Sequence, residues 1–257
     1  MSSINSPQDF SIAALCGYVQ GVSALVIAAR SSAIQILQAP LTVGSNNLIQ
    51  LFAAGAESWE ILSSSANDTA AGTGARTVAV QYLDADYLQR TVVVTLNGAT
   101  PVAIAADCFR HQLTTVVSAG STNNNVGNLT IRVAGGGATR AFMPLTFGVT
   151  RQGSFTVPAG HRAIIGSSQF IISKLTGLGT IGTLSATVRD PSGVVRQGLD
   201  FTLSEPGVNL SFPLNISVPE KSTLIYNVTA VSANDTDVSV LTSGLLIDTS
   251  VLKWPQT

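Results

Sequence analysis

Apolar residues recur at every second position in several short segments of this chain, and turn-forming residues lie between the segments. The alternation is clear at residues 78–82, 129–133 and 224–230. Asn97-Gly98 and Asp190-Pro191-Ser192-Gly193 are strong turn sequences. A period of two residues is that of a strand with one buried face, whereas a helix repeats every 3.6 residues. The pattern therefore predicts short antiparallel strands joined by turns.

The charged residues favour the same fold class. The 257-residue chain has three Lys and four Glu, the two residue types that normally cover exposed helix faces. Their scarcity argues against a helical protein. With 45% hydrophobic and 11% charged residues, the chain has enough apolar surface to fold, which excludes intrinsic disorder. We predict an all-β fold.

The turn spacing predicts two consecutive antiparallel modules of the β-sandwich or jelly-roll type. The first module is expected at residues 62–150 and the second at 151–257. Residues 1–61 are less regular and are expected to form a separate N-terminal segment that adds strands or serves another purpose. A Pro and a GSNN turn divide part of this segment into two candidate strands.

The N-terminal segment contains an apolar run of eighteen residues, IAALCGYVQGVSALVIAA, which reaches the length of a membrane span. Polar residues and glycines interrupt the run, so strands or a short buried helix are favoured over a membrane helix. MSSINSPQDF has an acid and no base before the run, so no secretory signal peptide is expected. Cys16 and Cys108 do not form a disulfide framework and are expected to be free thiols.

The glycine-rich stretch GTGART, residues 72–77, resembles a phosphate-binding loop at first sight. Such a loop must follow a buried strand and open a helix, so that its amides point at the anion. Here a small, polar segment precedes the glycines and an alternating strand pattern follows them. The stretch is therefore interpreted as the entry to a β-hairpin.

The positive charge is concentrated in the middle of the chain. Residues 108–189 contain six Arg, one Lys and no acid, whereas both flanking segments are acidic and the net charge is −1. The bases are spread along the sequence, while nucleic-acid sites usually show a clustered footprint, so nucleic-acid binding is not favoured. We expect instead that strand-edge arginines make intersubunit contacts, and the candidates are Arg132, Arg140, Arg151 and Arg162.

No residue pattern indicates catalysis, a cofactor or a metal centre. Two aspartate pairs, Asp84 with Asp86 and Asp235 with Asp237, are candidates for calcium at a turn. Calcium needs six to eight oxygen ligands, and neither pair has a third carboxylate nearby in sequence. Turn capping is therefore favoured over ion binding. We expect no enzyme activity, although a glycan hydrolase with carboxylates on distant strands stays as a distant alternative.

Several motifs together resemble those of virion structural proteins of tailed bacteriophages. They are the stretch GTGARTVAVQYLDADYLQRTVVVTLNG, then CFRHQLTTVV, GSTNNNVGNLTIR, TVPAG at 156–160 and PEKS at 219–222. Their order and spacing hold from about residue 60 to 248. The N-terminal segment matches nothing in this resemblance and is a candidate for attachment to the particle.

The resemblance implies a particle component without enzyme activity, most simply a capsid decoration or other exterior accessory protein. It also implies that the partners are other virion proteins and copies of this chain, with a trimer favoured by analogy with related β-module proteins. Neither a membrane nor nucleic acid is expected as a partner. Assembly in the reducing bacterial cytoplasm agrees with the expected free thiols. The alternative function is a tail or fibre module that binds a host receptor or glycan.

Overall fold

The computed structural model describes residues 13–14, 16–44, 46–174, 179–205 and 210–251, with no side-chain description for 210–215. Two short 3-10 turns, Ile36–Gln38 and Thr249–Val251, accompany the strands. The strands are β1 (Val22–Ile34), β2 (Leu41–Thr42), β3 (Glu57–Ser63), β4 (Ala75–Leu83), β5 (Gln89–Thr95), β6 (Val102–Cys108), β7 (Arg110–Ala119), β8 (Leu129–Val133), β9 (Thr139–Met143), β10 (Ser154–Thr156), β11 (His161–Lys174), β12 (Ile181–Arg189), β13 (Val195–Ser204), β14 (Leu210–Val218), β15 (Thr223–Val231) and β16 (Thr236–Asp248).

The first and last strands belong to one larger sandwich, which we define as β1, β2 and β10–β16. One sheet has the order β1-β16-β11-β14, and the other has the order β10-β15-β12-β13 with β2 beside β15. The pairing is nested: β1 pairs with β16, β10 with β15, β11 with β14, and β12 with β13. This is the arrangement of one long hairpin folded back over itself into two antiparallel sheets.

Alternation along these strands produces the core between the two sheets. On β12, Leu184, Ala186 and Val188 are buried, and on β11 Ile165 and Phe170 face the same core. Side chains at every second position point to one face of a strand, so each of these segments contributes a row of apolar side chains.

The smaller sandwich comprises β3–β9, with sheets ordered β6-β3-β8-β9 and β5-β4-β7. Its separate core contains Trp59, Val78, Val80, Tyr82 and Ile131, all almost fully buried. The chain therefore has two antiparallel sandwiches, and the predicted all-β fold is confirmed.

The order of the modules along the chain differs from the predicted one. β1 and β2 come from the N-terminal segment, yet they pair with β16 and β15 near the C-terminus. The smaller sandwich is thus inserted between β2 and β10 of the larger one. The physical reason is that Leu25, Ile27 and Ala29 of β1 are buried in the larger core and supply one of its edges.

The apolar run that reaches membrane length contributes its second half to this strand, β1. Alternate residues of β1 are buried, while Val26 and Ala28 lie on the other face. Apolar residues on both faces explain why the run looks continuous in sequence. Among the described residues, no helix is long and apolar enough to cross a membrane.

Candidate functional site

The two sandwiches are joined by two connecting segments that lie side by side. Gly44, at the exit from β2, forms an antiparallel bridge with Gln152, just before β10. The Gly153 amide also donates to the Val43 carbonyl at 2.7 Å. Val149 forms a further bridge with Thr115 of β7. The junction is therefore held by backbone hydrogen bonds on both connecting segments.

A polar network lies beneath this junction, centred on Arg140 of β9. Its guanidinium donates to both carboxylate oxygens of Glu57, at 2.7 and 2.9 Å, and to the Leu51 carbonyl at 2.9 Å. The side-chain amide of Gln50 donates to the Arg140 carbonyl at 3.0 Å, and Gln152 contacts Gln50. A bidentate pair of this kind fixes both position and orientation. The network ties the connecting segments to β3 and β9.

His111 continues the network on the side of β7. One ring nitrogen contacts the Gln152 side-chain oxygen at 2.9 Å and the other contacts the Thr114 hydroxyl at 2.9 Å. Burial lowers the pKa of His111 to about 4, although the hydrogen bond to Gln152 acts in the opposite direction. The ring is therefore neutral at pH 7, with both nitrogens engaged in the fold.

A groove of about 540 Å³ opens beside the junction. Its floor is the outer face of the β1-β16-β11 sheet, where Val26, Leu241 and Ile171 are 62%, 47% and 41% exposed. Gln112 of β7 and Arg151 of the connecting segment contribute to its lining. The groove therefore has a largely apolar floor and polar residues at its edges.

Two of the four predicted contact arginines are engaged within the smaller sandwich. Arg132 donates to Glu60 at 2.7 Å across the β8–β3 ladder, and this hydrogen bond is the main cause of the lowered pKa of Glu60. Arg140 is 8% exposed and belongs to the network with Glu57. Arg140 is thus the buried partner of Glu57 in an internal ion pair, and its burial does not fit the predicted role as a subunit contact.

The other two predicted arginines lie elsewhere. Arg151 stacks over the Phe147 ring at 4.4 Å beside the groove. Arg162 is exposed on β11 and donates to the Ser217 hydroxyl at 3.1 Å. The structure therefore distributes the four residues over β8, β9, the junction and β11 and does not unite them in one patch.

The glycine-rich loop binds an internal carboxylate. Asp68, which is fully buried, accepts hydrogen bonds from the amides of Ala75, Val126 and Gly127 at 2.7, 3.0 and 2.8 Å and from the Ser63 hydroxyl at 2.6 Å. The Asp68 carboxylate thus accepts a hydrogen bond from the amide of Ala75. Ala75 belongs to the glycine-rich loop and is also the first residue of β4. A side chain at Gly74 would place its Cβ 2.1 Å from an Asp68 oxygen, which explains the glycine there. No sequence pattern indicates this role for Asp68, because the residues around it have the composition of a polar connector.

Asp84 caps a turn, as favoured from the sequence for its pair with Asp86. It accepts from the amides of Asp86 and Leu88 at 3.0 Å and from Arg90 at 2.8 Å. Burial alone would raise the pKa of Asp84, but these hydrogen bonds outweigh it and lower the pKa. The carboxylate oxygens are thus taken by protein donors.

The second aspartate pair lies at the start of β16, with Asp235 just before the strand and Asp237 within it. Asp237 binds Arg30 and the Ala33 amide, each at 2.8 Å, and Asp235 accepts from the Gln35 side chain at 2.9 Å. Among the described residues, no group of three His, Cys, Asp or Glu is placed to hold a metal ion. The geometry of both pairs is that of strand and turn connections.

The two thiols lie in different environments. Cys16 is exposed and Cys108 is buried, and neither forms a disulfide. Burial raises the pKa of the Cys108 thiol to about 12.

The fold and junction define an all-β chain in which one antiparallel sandwich is inserted into another. No protein-family model and no curated protein matches the sequence. Solved structures that are similar include a chain of the T13 infectious bursal disease virus particle, with 10% identity, covering 89% of this chain and 66% of that chain at a TM-score of 0.22. The Gx strain of the same virus gives 12% identity, 88% and 72% coverage and a TM-score of 0.25. Its VP2 subviral particle gives 11% identity, 88% and 67% coverage and a TM-score of 0.20. A likeness this weak assigns no function.

Proposed function

We propose that this chain is a non-enzymatic structural component of a bacteriophage virion, and that it acts as a decoration or other exterior accessory protein. The observation that carries the proposal is the nested pairing of β1 with β16, β10 with β15, β11 with β14 and β12 with β13. We interpret these eight strands in two sheets as a jelly roll, an architecture used by capsid and lectin domains. Fold alone does not define function, so the phage-like sequence motifs supply the second support.

The way the chemically versatile side chains are used also supports a structural role. His111 is neutral and hydrogen-bonded on both nitrogens, and Asp68 and Glu57 are bound to donors of the fold. Catalytic acids and bases need a pKa near the working pH and access to substrate. These groups act in the fold as buried or half-buried hydrogen-bonding partners.

The surface supports assembly with other protein chains. Val26, Leu241 and Ile171, which lie together on the floor of the groove, are 62%, 47% and 41% exposed. Large apolar side chains exposed in groups indicate interaction surfaces. We expect contacts with other virion proteins and with copies of this chain, with a trimer as the expected state, after assembly in the bacterial cytoplasm.

The proposal is tested by quantitative mass spectrometry of purified phage particles. We expect the chain at a fixed copy number that follows the particle through a density gradient and resists washing. A chain found only in infected-cell lysate, and absent from washed particles, would reject the structural role. A parallel glycan array with the isolated protein examines the alternative, because specific glycan binding would favour a receptor-binding tail or fibre module.

A further inference from the structure

The side of the larger sandwich formed by β13 and β14 has no covering element within the described residues. Both strands are the outermost members of their sheets. β13 is ten residues long, and its first six residues, Val195–Asp200, are all exposed. A long edge strand carries unpaired backbone N–H and C=O groups that can pair with another chain.

The gap between the two sheets is also open on this side. A cavity of about 500 Å³ lies between them, and its lining includes Val188, Leu199, Ile216 and Leu224. Leu199 is on the same face of β13 as Phe201, which packs against the core, yet Leu199 is 41% exposed. The Leu199 side chain therefore points into the open cavity between the two sheets and is partly exposed there.

The sequence of β13 is complementary to itself in one antiparallel register. Its two charged residues, Arg196 and Asp200, lie at equal distances on either side of Gly198. When two copies pair about a two-fold axis at Gly198, each Arg196 faces the Asp200 of the other strand. Axes centred one residue to either side place no opposite charges face to face.

We propose that two copies of this chain associate through antiparallel pairing of their β13 strands about a two-fold axis at Gly198. The pairing extends the β10-β15-β12-β13 sheet into the second copy and covers the open apolar gap. A bulge opposite β12 leaves Arg196 as an extra residue with no register partner in β12, and the regular β12–β13 ladder resumes at Gln197. Charged residues on an edge strand normally prevent edge-to-edge association. In β13, Arg196 and Asp200 instead favour the register centred on Gly198 over the neighbouring registers.

This contact deepens the self-association included in the proposed function, and it uses a strand outside the basic middle segment. Arg196 is bonded to Asp190 at 2.6 Å within its own chain, but its side chain is 64% exposed. A guanidinium has five N–H donors, so it can bind a second carboxylate from the neighbouring copy. In a particle, such a two-fold contact can coexist with a three-fold contact elsewhere on the chain.

A symmetric disulfide tests the register. In a Cys16→Ser background, which removes the exposed native thiol, Gly198→Cys places the same residue of both copies at the axis. Facing Cα atoms in antiparallel strands are about 4.5–5.5 Å apart, within the range of a disulfide. The new Cβ has room, since its nearest neighbour is a Thr187 methyl at 3.9 Å. We expect a covalent dimer under mild oxidation.

Thr202→Cys in the same background is the matched control. Thr202 is exposed on the same face as Gly198. Its two copies would be offset by eight positions along the ladder, roughly 27 Å, too far for a disulfide. Cross-linking of Gly198→Cys alone supports the proposal. Failure of Gly198→Cys to cross-link, or equal cross-linking of both variants, overturns it.

Charge exchange tests the same contact without a cross-link. Sedimentation equilibrium should show that Asp200→Arg weakens the two-fold association roughly tenfold, because two facing pairs change from attraction to repulsion. Arg196→Asp should weaken it as well, and the double variant should recover most of the loss. An unchanged association for Asp200→Arg would overturn the proposal. If Asp200→Arg leaves the association unchanged while the chain is still found in washed particles, only the β13 inference fails and the virion role stands.

Discussion

Removal of the Asp68 carboxylate should strongly destabilise the smaller sandwich. In Asp68→Ala, the amides of Ala75, Val126 and Gly127 lose their acceptor in a buried or half-buried setting. Each unsatisfied donor costs about 1–3 kcal/mol. The Val126 amide is only half-buried, so water can hydrogen-bond to it in the variant. We therefore expect the free energy of unfolding to decrease by about 4 kcal/mol, which is less than the sum for three fully buried donors. Asp68→Asn keeps one acceptor oxygen and should lose about half as much.

Urea unfolding followed by tryptophan fluorescence measures this loss. Trp59 lies in the core of the smaller sandwich, and a Trp254→Phe background makes it the sole tryptophan. The midpoint multiplied by the slope then gives the free energy of unfolding of that sandwich. Asp86→Ala, at an exposed position, is the control and should change stability by less than about 0.5 kcal/mol. A loss below about 1 kcal/mol for Asp68→Ala would refute the role assigned to this carboxylate.

Three further perturbations follow from buried groups. The pKa of His111 is about 4 in the fold and about 6.5 when unfolded. Between these values the unfolded state binds more protons than the folded state. The free energy of unfolding therefore decreases by roughly 3 kcal/mol as the pH is lowered from about 6.5 to about 4. His111→Gln should flatten that part of a urea-midpoint profile, and an unchanged slope would contradict this explanation. A thiol reagent should label exposed Cys16 in the native protein and Cys108 only after denaturation, and equal labelling rates would contradict the burial of Cys108. Arg140→Ala removes the buried member of an ion pair whose carboxylate is half-buried, and should cost about 3 kcal/mol by urea unfolding. Exposed Arg162→Ala should cost less than about 0.5 kcal/mol, and similar losses would contradict the internal role of Arg140.

Local features of the fold could be predicted from the sequence because they depend on neighbouring residues. The turn at Asp190 formed as expected, with the Gly193 amide donating to the Asp190 carbonyl at 2.9 Å. The hairpin of β4 and β5 follows the alternation read at residues 78–82, and its register runs from Thr77 opposite Thr95. Strand period and turn chemistry act over a few positions, so one sequence is enough to reveal them.

Long-range partners could not be predicted in this way. Val22 pairs with Ile247, and no local pattern states which distant strand will complete a sheet. The same holds for Arg140 and Glu57, which are 83 positions apart. An arginine that faces a subunit and one that binds a half-buried glutamate of the same chain look alike in a strand sequence. Asp68 was missed because its partners come from two separate loops.

The most direct test of the virion role is a cryo-electron-microscopy map of the intact phage particle at a resolution that separates strands. We predict exterior density, repeated with the symmetry of the particle, that fits the larger sandwich with the smaller one inserted between β2 and β10. A map in which all exterior density is accounted for by other chains, with none left that fits these two sandwiches, would contradict the proposed function.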